Sequence, residues 1–497
     1  MLGDQPSRRL DAAALAQLPA PVVRPSYDRS ALRPAIVHIG VGGFHRSHLA
    51  TYVHELCTAG RQDWAIAGAG VLAGDQAMAD ALGAQDHLYT LITRGPESTE
   101  VEVVGSIVDF VFAAETAEPL IDRLADPATQ VLSLTVTEGG YPVDEDTGSY
   151  APTDAGRAGT FPIIARALAE RRRRGRPGLT ILSCDNIVGN GGVARAATLG
   201  AASELDDELV AWIERSVSFP NSMVDRITPN TTDTDREWLE LNHGVVDRWP
   251  VVTEPFRQWV VEDEFIGDRP PFEELDVTVT GDVAPYEVMK LRMLNAGHSC
   301  LAYLAALAEV EAVDEAMADP VLGRYVDSFI DCEAKPAVPP IDGVDLDEYR
   351  RSLIERFSNP GITDQVSRLC LDGSAKFPKF LLPTVRIHLR DGGPIGRSAL
   401  ALAGWCQYLL LGADRRSSID LAADPMLDEA VEWARRSSSE PSAFLDFEAV
   451  FGSDLRTDRR FVDAFTSALG RLRGGPVRSA ILQTVEEAET TDGRRNA

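Results

Sequence analysis

The texture of this 497-residue sequence changes once, and that change limits the folds open to it. From Ala35 to about Asp282, β-branched apolar runs alternate with helical stretches, the pattern of a sheet with helices on its faces. The runs 35–41, 64–71, 100–112, 131–137 and 179–184 predict strands, the second parallel to the first. Segments 47–60 and 164–174 predict helices. After Pro285 the apolar residues recur every 3.6 positions in several long stretches, which predicts helices alone. A boundary near residue 283 therefore separates an α/β domain, 1–283, from a mostly α-helical domain, 284–497. Residues 144–160 read as a polar loop, and the apolar-poor last dozen residues as a frayed end.

Charge narrows the partners. Acidic residues outnumber basic ones 76 to 48, a net charge of −28 that repels nucleic-acid phosphates and anionic lipid alike. A small neutral molecule suits this surface better, and the arginine run at 171–174 reads as a solvated helix end. No secretory signal and no long apolar run is evident, and the six cysteines are widely spaced without a CxxC pair, so a cytoplasmic protein with reduced, mostly buried thiols is expected. The basic residues are 44 Arg and only four Lys, at 290, 335, 376 and 379. Arginine supplies surface charge equally well but does not release its proton, so these four positions invite a chemical explanation.

Residues 40–48, GVGGFHRSH, lie between a predicted strand and a predicted helix. In that setting Gly40 and Gly42 can make the tight turn that lets backbone approach a dinucleotide pyrophosphate, although His45 stands where a third glycine is usual. Asp75, just past the second strand, is the candidate for the ribose hydroxyls. No Arg or Lys occurs between Asp63 and Asp86 to hold a 2′-phosphate, which favours NAD over NADP. His45 and His48 are spaced i, i+3 but lack an evident third ligand, so they are expected to cap or pack and no metal is expected.

The segment MKLRMLNAGHSC places Lys290, Asn295 and His298 on one predicted helix. At about 100° per residue they project near 0°, 140° and 80°, one broad face. An amine, an amide and an imidazole so grouped suit acid–base chemistry at an alcohol carbon, with an amide donor for the developing oxyanion. Asn186 ends a predicted strand, on the side where doubly wound sheets bind ligands. Alone, Asp225 reads as a turn or cap residue, and Arg368 and Lys376 as surface charge.

Seven blocks then act together: GVGGFHRSH, SLTVTEGGY, SCDN, FPNSMVDRITP, VVTEPFRQWVVED, YEVMKLRMLNAGHS and RFSNPGITDQVSRLCLDGSAKFPKF. With them the chain, from about 30 to 470, resembles the polyol-specific long-chain dehydrogenases. The resemblance implies an N-terminal Rossmann-type domain, a mostly α-helical C-terminal domain, and NAD-dependent, metal-independent exchange between a secondary alcohol and a ketose. It implies Lys290 as catalytic lysine, Asn186 and Asn295 as oxyanion-binding asparagines, and His298 as orienting a substrate hydroxyl. It lines the polyol site with Asp225, Arg368 and Lys376, and the cofactor turn with Gly40, Gly42, Gly43 and Phe44. Ala296-Gly297 departs from the Gly-Ser common in relatives, a matter of local packing. The block around Arg368 favours a neutral polyol over a hexuronate, with D-mannitol expected ahead of D-arabinitol and glucitol. A non-catalytic NAD-binding sensor is the reading from another class, and a monomer is the expected state.

Overall fold

The computed structural model describes residues 7–144, 147–152, 159–414 and 419–495, and the chain divides into two units, Met1–Ala284 and Pro285–Ala497. At the centre of the first is a five-stranded, all-parallel sheet of Pro34–Ile39, Ala65–Gly70, Ile107–Phe112, Val131–Leu134 and Thr180–Ser183. Taken in chain order as 1 to 5, the strands lie 3-2-1-4-5 across the sheet, half of a doubly wound fold with its switch point between the first and fourth. Alternation at period two explains why both faces are buried. Val37, Ile39, Ala67, Ala69, Leu132 and Leu134 meet helices Glu118–Leu124, Thr160–Arg173 and Asn190–Ser203, while Ile36, Ile66 and Val131 face Tyr52 and Trp259.

The run expected to be strand over 100–112 is two strands in different sheets. Thr99–Val104 pairs antiparallel with Tyr89–Arg94 in a separate four-stranded sheet, and the chain turns at Gly105 and Ser106 into Ile107–Phe112 of the central one. Ser222–Asp225, Gln258–Glu262 and Thr278–Thr280 form a three-stranded sheet. The arginine run also differs from a simple solvated end. Arg172, Arg173 and Arg174 pair with acidic neighbours, but Arg171 is buried and donates to the carbonyls of Leu124, Asp126, Thr129, Pro177 and Gly178. Of the polar loop over 144–160, residues 145–146 and 153–158 lie outside the described residues; Val143 and Tyr150 form a bridge.

The regular elements among the second unit's described residues are all helices, with one isolated bridge between Ala312 and Gln365. Helix Gly396–Gly412 is its axis, with Ala296–Leu307, Leu427–Arg436 and Arg459–Gly474 against it and Trp405 among Phe377, Phe444 and Phe447. The last helix is Val477–Arg495, whose Ala480, Ile481 and Val485 are buried; residues 496–497 lie outside the described ones. Apolar spacing at the start of this helix is enough to dock it, and the polar remainder continues the turn.

Candidate active site

In the first unit the candidate residues gather at the carboxyl ends of the parallel strands. Gly40 ends the first strand at φ +96°, and a Cβ there would lie 2.1 Å from the carbonyl oxygen of Thr135, which follows the fourth strand. Only glycine permits that approach at the switch point. Gly42 N–H donates to the Gly40 carbonyl at 2.7 Å, and a Cβ at Gly42 would meet nothing nearer than 3.9 Å, so the turn leaves open backbone for a ligand. Gly43 starts the short helix Gly43–Ser47, and half-buried Phe44 stacks on His48.

His45 and His48 are packing residues. His45 stacks on His38, centroids 3.4 Å apart, filling the place a third glycine would leave empty; His38 bonds Ser133 and Thr135 through its two nitrogens. His48 Nε2 lies 2.9 Å from the Gln258 carbonyl. Burial lowers the pKa of His38 and His48 to about 3 and that of His45 well below its ordinary value, so all three are neutral. Asp75 is half-buried past the second strand; its Oδ2 accepts from Leu72 N–H at 2.9 Å, and its Oδ1 has no partner among the described residues.

Asn186 is exposed just beyond the fifth strand. Its turn is held by Asp185, whose carboxylate accepts from the amides of Val136 and Thr137 and from Tyr141 Oη at 2.7 Å. Burial raises the Asp185 pKa, and those three donors oppose the rise. Thr137 is held at φ +64° in the process, strain fixed by this network. Asp225 is a buried strand residue in register with Gln258, rather than the turn or cap that its isolated sequence suggests.

In the second unit the expected single helix is interrupted. Ala284–Met289 and Ala296–Leu307 are α-helical, but Lys290–Asn295 is a π-turn. Its i→i+5 bonding brings residues five apart to the same side, so Lys290 and Asn295 share a side instead of diverging by the 140° of an uninterrupted α-helix. Lys290 is buried, and Asn295 Oδ1 is buried without a hydrogen-bond partner among the described residues. His298 follows one turn later, its ring stacked on Phe357 at 4.1 Å. A Cβ at Gly297 would find Phe357 and Ile330 at ordinary contact distances, so the Ala-Gly departure is accommodated.

Two further helices carry Arg368 and Lys376. Val366–Leu369 packs on Ala296–Leu307, and Gly373–Phe380 packs on the π-turn. Gly373–Phe380 also packs on Ala296–Leu307, and Gly373 permits that approach, because a Cβ there would lie 2.2 Å from Tyr303 Oη. Arg368 is exposed and forks onto Asp364, which raises its pKa. Lys376 is half-buried with Nζ 3.5 Å from the Leu369 carbonyl; desolvation lowers its pKa, Asp372 opposing and Arg368 reinforcing. Phe357, Asp185 and Tyr141 escaped sequence reasoning because each acts by packing or holding a neighbour; only their presence inside the quoted blocks, or beside them, signalled them.

Residues 34–274 match the Mannitol dehydrogenase Rossmann domain and 282–473 the Mannitol dehydrogenase C-terminal domain. The chain is 42% identical to a mannitol 2-dehydrogenase of Aspergillus fumigatus over 93% of its own length and 94% of the relative's, and 42% identical to one of Aspergillus terreus with the same coverage. It superposes on the ternary complex of Pseudomonas fluorescens mannitol 2-dehydrogenase with NAD and D-mannitol with a TM-score of 0.86 at 40% identity, covering 96% of this chain and all of that one. A D-sorbitol dehydrogenase in substrate-free form superposes at 0.88 with 34% identity, covering 95% and 100%.

Proposed function

Since the chain belongs to the mannitol dehydrogenase family, we propose that it interconverts D-mannitol and D-fructose with NAD, using Lys290 as its acid–base group. The observation that carries this reading is the π-turn that gives a buried lysine and a half-buried asparagine with a buried, unsatisfied carbonyl oxygen a common side. An alcohol must lose its proton as its carbon loses hydride, and a neutral amine within hydrogen-bond reach can take it. Asn295 and Asn186 donate amide hydrogens to the oxygen as charge develops. His298, fixed in plane by Phe357, holds a neighbouring hydroxyl, and Asp225, Arg368 and Lys376 take hydroxyls farther along the chain. NAD, when bound, supplies the hydride acceptor. The residues that would hold it are Gly40, Gly42, Gly43 and Phe44 at the pyrophosphate and Asp75, through its unpartnered Oδ1, at the ribose hydroxyls.

The reading takes the enzyme as a cytoplasmic monomer. All six cysteines are free thiols, which suits a reducing compartment, and among the described residues no helix is long and apolar enough to cross a membrane. The test is kcat/KM with NAD for D-mannitol, D-arabinitol, glucitol, xylitol and ribitol, followed by NADH absorbance. D-Mannitol is expected to lead. The resemblance to a D-sorbitol dehydrogenase keeps glucitol in the panel, and NAD binding with no turnover of any polyol would leave a sensor instead.

A further inference from the structure

Arg46 is buried, 1% exposed, one turn past the glycines, and the chemistry proposed above makes no use of it. Its Nε donates to the Gly42 carbonyl at 3.2 Å, its Nη1 to the Trp249 carbonyl, and its guanidinium lies over the Tyr89 ring, 5.3 Å from the centroid. No carboxylate pairs with it among the described residues. Asp247, the acidic group that acts on it through space, already accepts from the amides of Thr90 and Trp249 and from Gln85. A buried cation without a partnered anion is costly and calls for a compensating charge.

We propose that Arg46 is a positioning residue for the dinucleotide, supplying from beneath the glycine turn the fixed positive charge that a bound pyrophosphate neutralises. Two observations converge on it. In a trans peptide the carbonyl and the amide hydrogen point in opposite directions, so an oxygen of Gly42 held by Arg46 turns the Gly43 N–H away from Arg46. That oxygen also accepts from Arg46 N–H at 3.3 Å, so the peptide is pinned twice. The space beside Gly42 is the open part of the turn. A doubly charged pyrophosphate seated there lies about one peptide from the guanidinium, in surroundings that screen little. Arg46 thus does from within the protein what a surface cation does by direct contact, and it leaves the open backbone free for the ligand.

This inference rests on the NAD reading, and one set of measurements separates them. ADP carries the pyrophosphate and adenosine does not, so affinities for both are measured by calorimetry on the full chain. Arg46→Met is expected to weaken ADP at least tenfold and leave adenosine within about twofold. Arg46→Lys, which keeps the charge but not the fork, is expected to recover most of the ADP loss. Equal losses for ADP and adenosine, or unchanged ADP affinity, would overturn the proposal. If Arg46→Met does not fold, Arg46→Gln keeps a donor for Gly42 without the charge, and the same outcomes decide. Wild-type protein that binds neither NAD nor ADP removes the NAD reading itself.

Discussion

Lysine is rare in this chain, three of the four fall in the family-like blocks, and that scarcity is the sequence signal behind the proposal that Lys290 is kept for its releasable proton. A lysine near its reference pKa of about 10.4 is almost wholly protonated at neutral pH, so the proposed base must act as the neutral amine. Polyol oxidation is therefore expected to rise with pH as the amine deprotonates, and ketose reduction to fall over the same range because it needs the ammonium. Lys290→Ala is expected to lose several orders of magnitude in kcat with NAD affinity kept, and Lys290→Arg to stay nearly inactive. An alanine variant with more than about a tenth of wild-type kcat, a barrier change under roughly 1.4 kcal/mol, would exclude Lys290 as the base. Arg368 and Lys376 looked like surface charge in isolation, since what distinguishes them is the neighbours their helices pack against. Alanine at either is expected to raise KM for polyol well above any change for NAD; parallel changes in both would return them to the surface. Arg46 and Asp185 carried no comparable signal, because a buried arginine or aspartate is spelled like an exposed one.

Among elements, the parallel strands were readable as β-branched apolar runs and the long helices from a period of 3.6, but the π-turns were not. One extra residue in a helix turn shifts the phase by about 100°, and the polar face of Lys290, Asn295 and His298 is broad enough to fit an uninterrupted helix as well. The same device recurs at Ile330–Ala334, which carries the buried Glu333. Its carboxylate accepts from the amides of Arg397 and Ser398 and from Ser398 Oγ, capping helix Gly396–Gly412 from outside that helix. Arg397, equally buried, lies 3.5 Å from it. Glu333→Ala strands these donors at the start of the helix on which the second unit is built. A loss of roughly 3–5 kcal/mol in unfolding free energy is expected, measured by urea titration. A loss under about 1 kcal/mol would mean water caps the helix equally well. At the glycine turn, Gly40→Ala forces a side chain to within 2.1 Å of Thr135 O at a left-handed φ. NAD affinity is expected to fall at least tenfold in a protein that remains folded, and unchanged affinity would remove the turn from the cofactor site.

At the scale of the whole molecule, the change of texture near residue 283 announced two units, and the alternation before it announced a parallel sheet, because each domain type must bury a different surface. Acid stability was hidden, since it depends on where buried histidines sit. The net charge of −28 suggests that mild acid should stabilise the chain by reducing repulsion, but between pH 6.5 and 5.5 carboxylates with reference values near 4 barely titrate. Buried histidines respond there instead, the fully buried His38, His45 and His48 most strongly, with His87 and His243 lowered by burial as well. Each of the first three is held neutral by burial, with a native pKa below the unfolded value near 6.5. Above that value neither state binds the proton, and their contribution is flat. As pH falls below it, the unfolded chain takes up protons that the native first unit refuses, so stability drops by about 1 kcal/mol for each such histidine between pH 6.5 and 5.5. For these three together that is about 3 kcal/mol over the interval, large against a typical total of about 5–15 kcal/mol. Urea unfolding followed by tryptophan fluorescence should show the midpoint falling steeply from pH 6.5 to 5.5. His45→Asn, which cannot titrate, should reduce the slope measurably, by at most about a third. A midpoint that holds or rises over that interval would mean repulsion relief outweighs the buried imidazoles, and an unchanged slope in His45→Asn would mean that His45 takes a proton without unfolding.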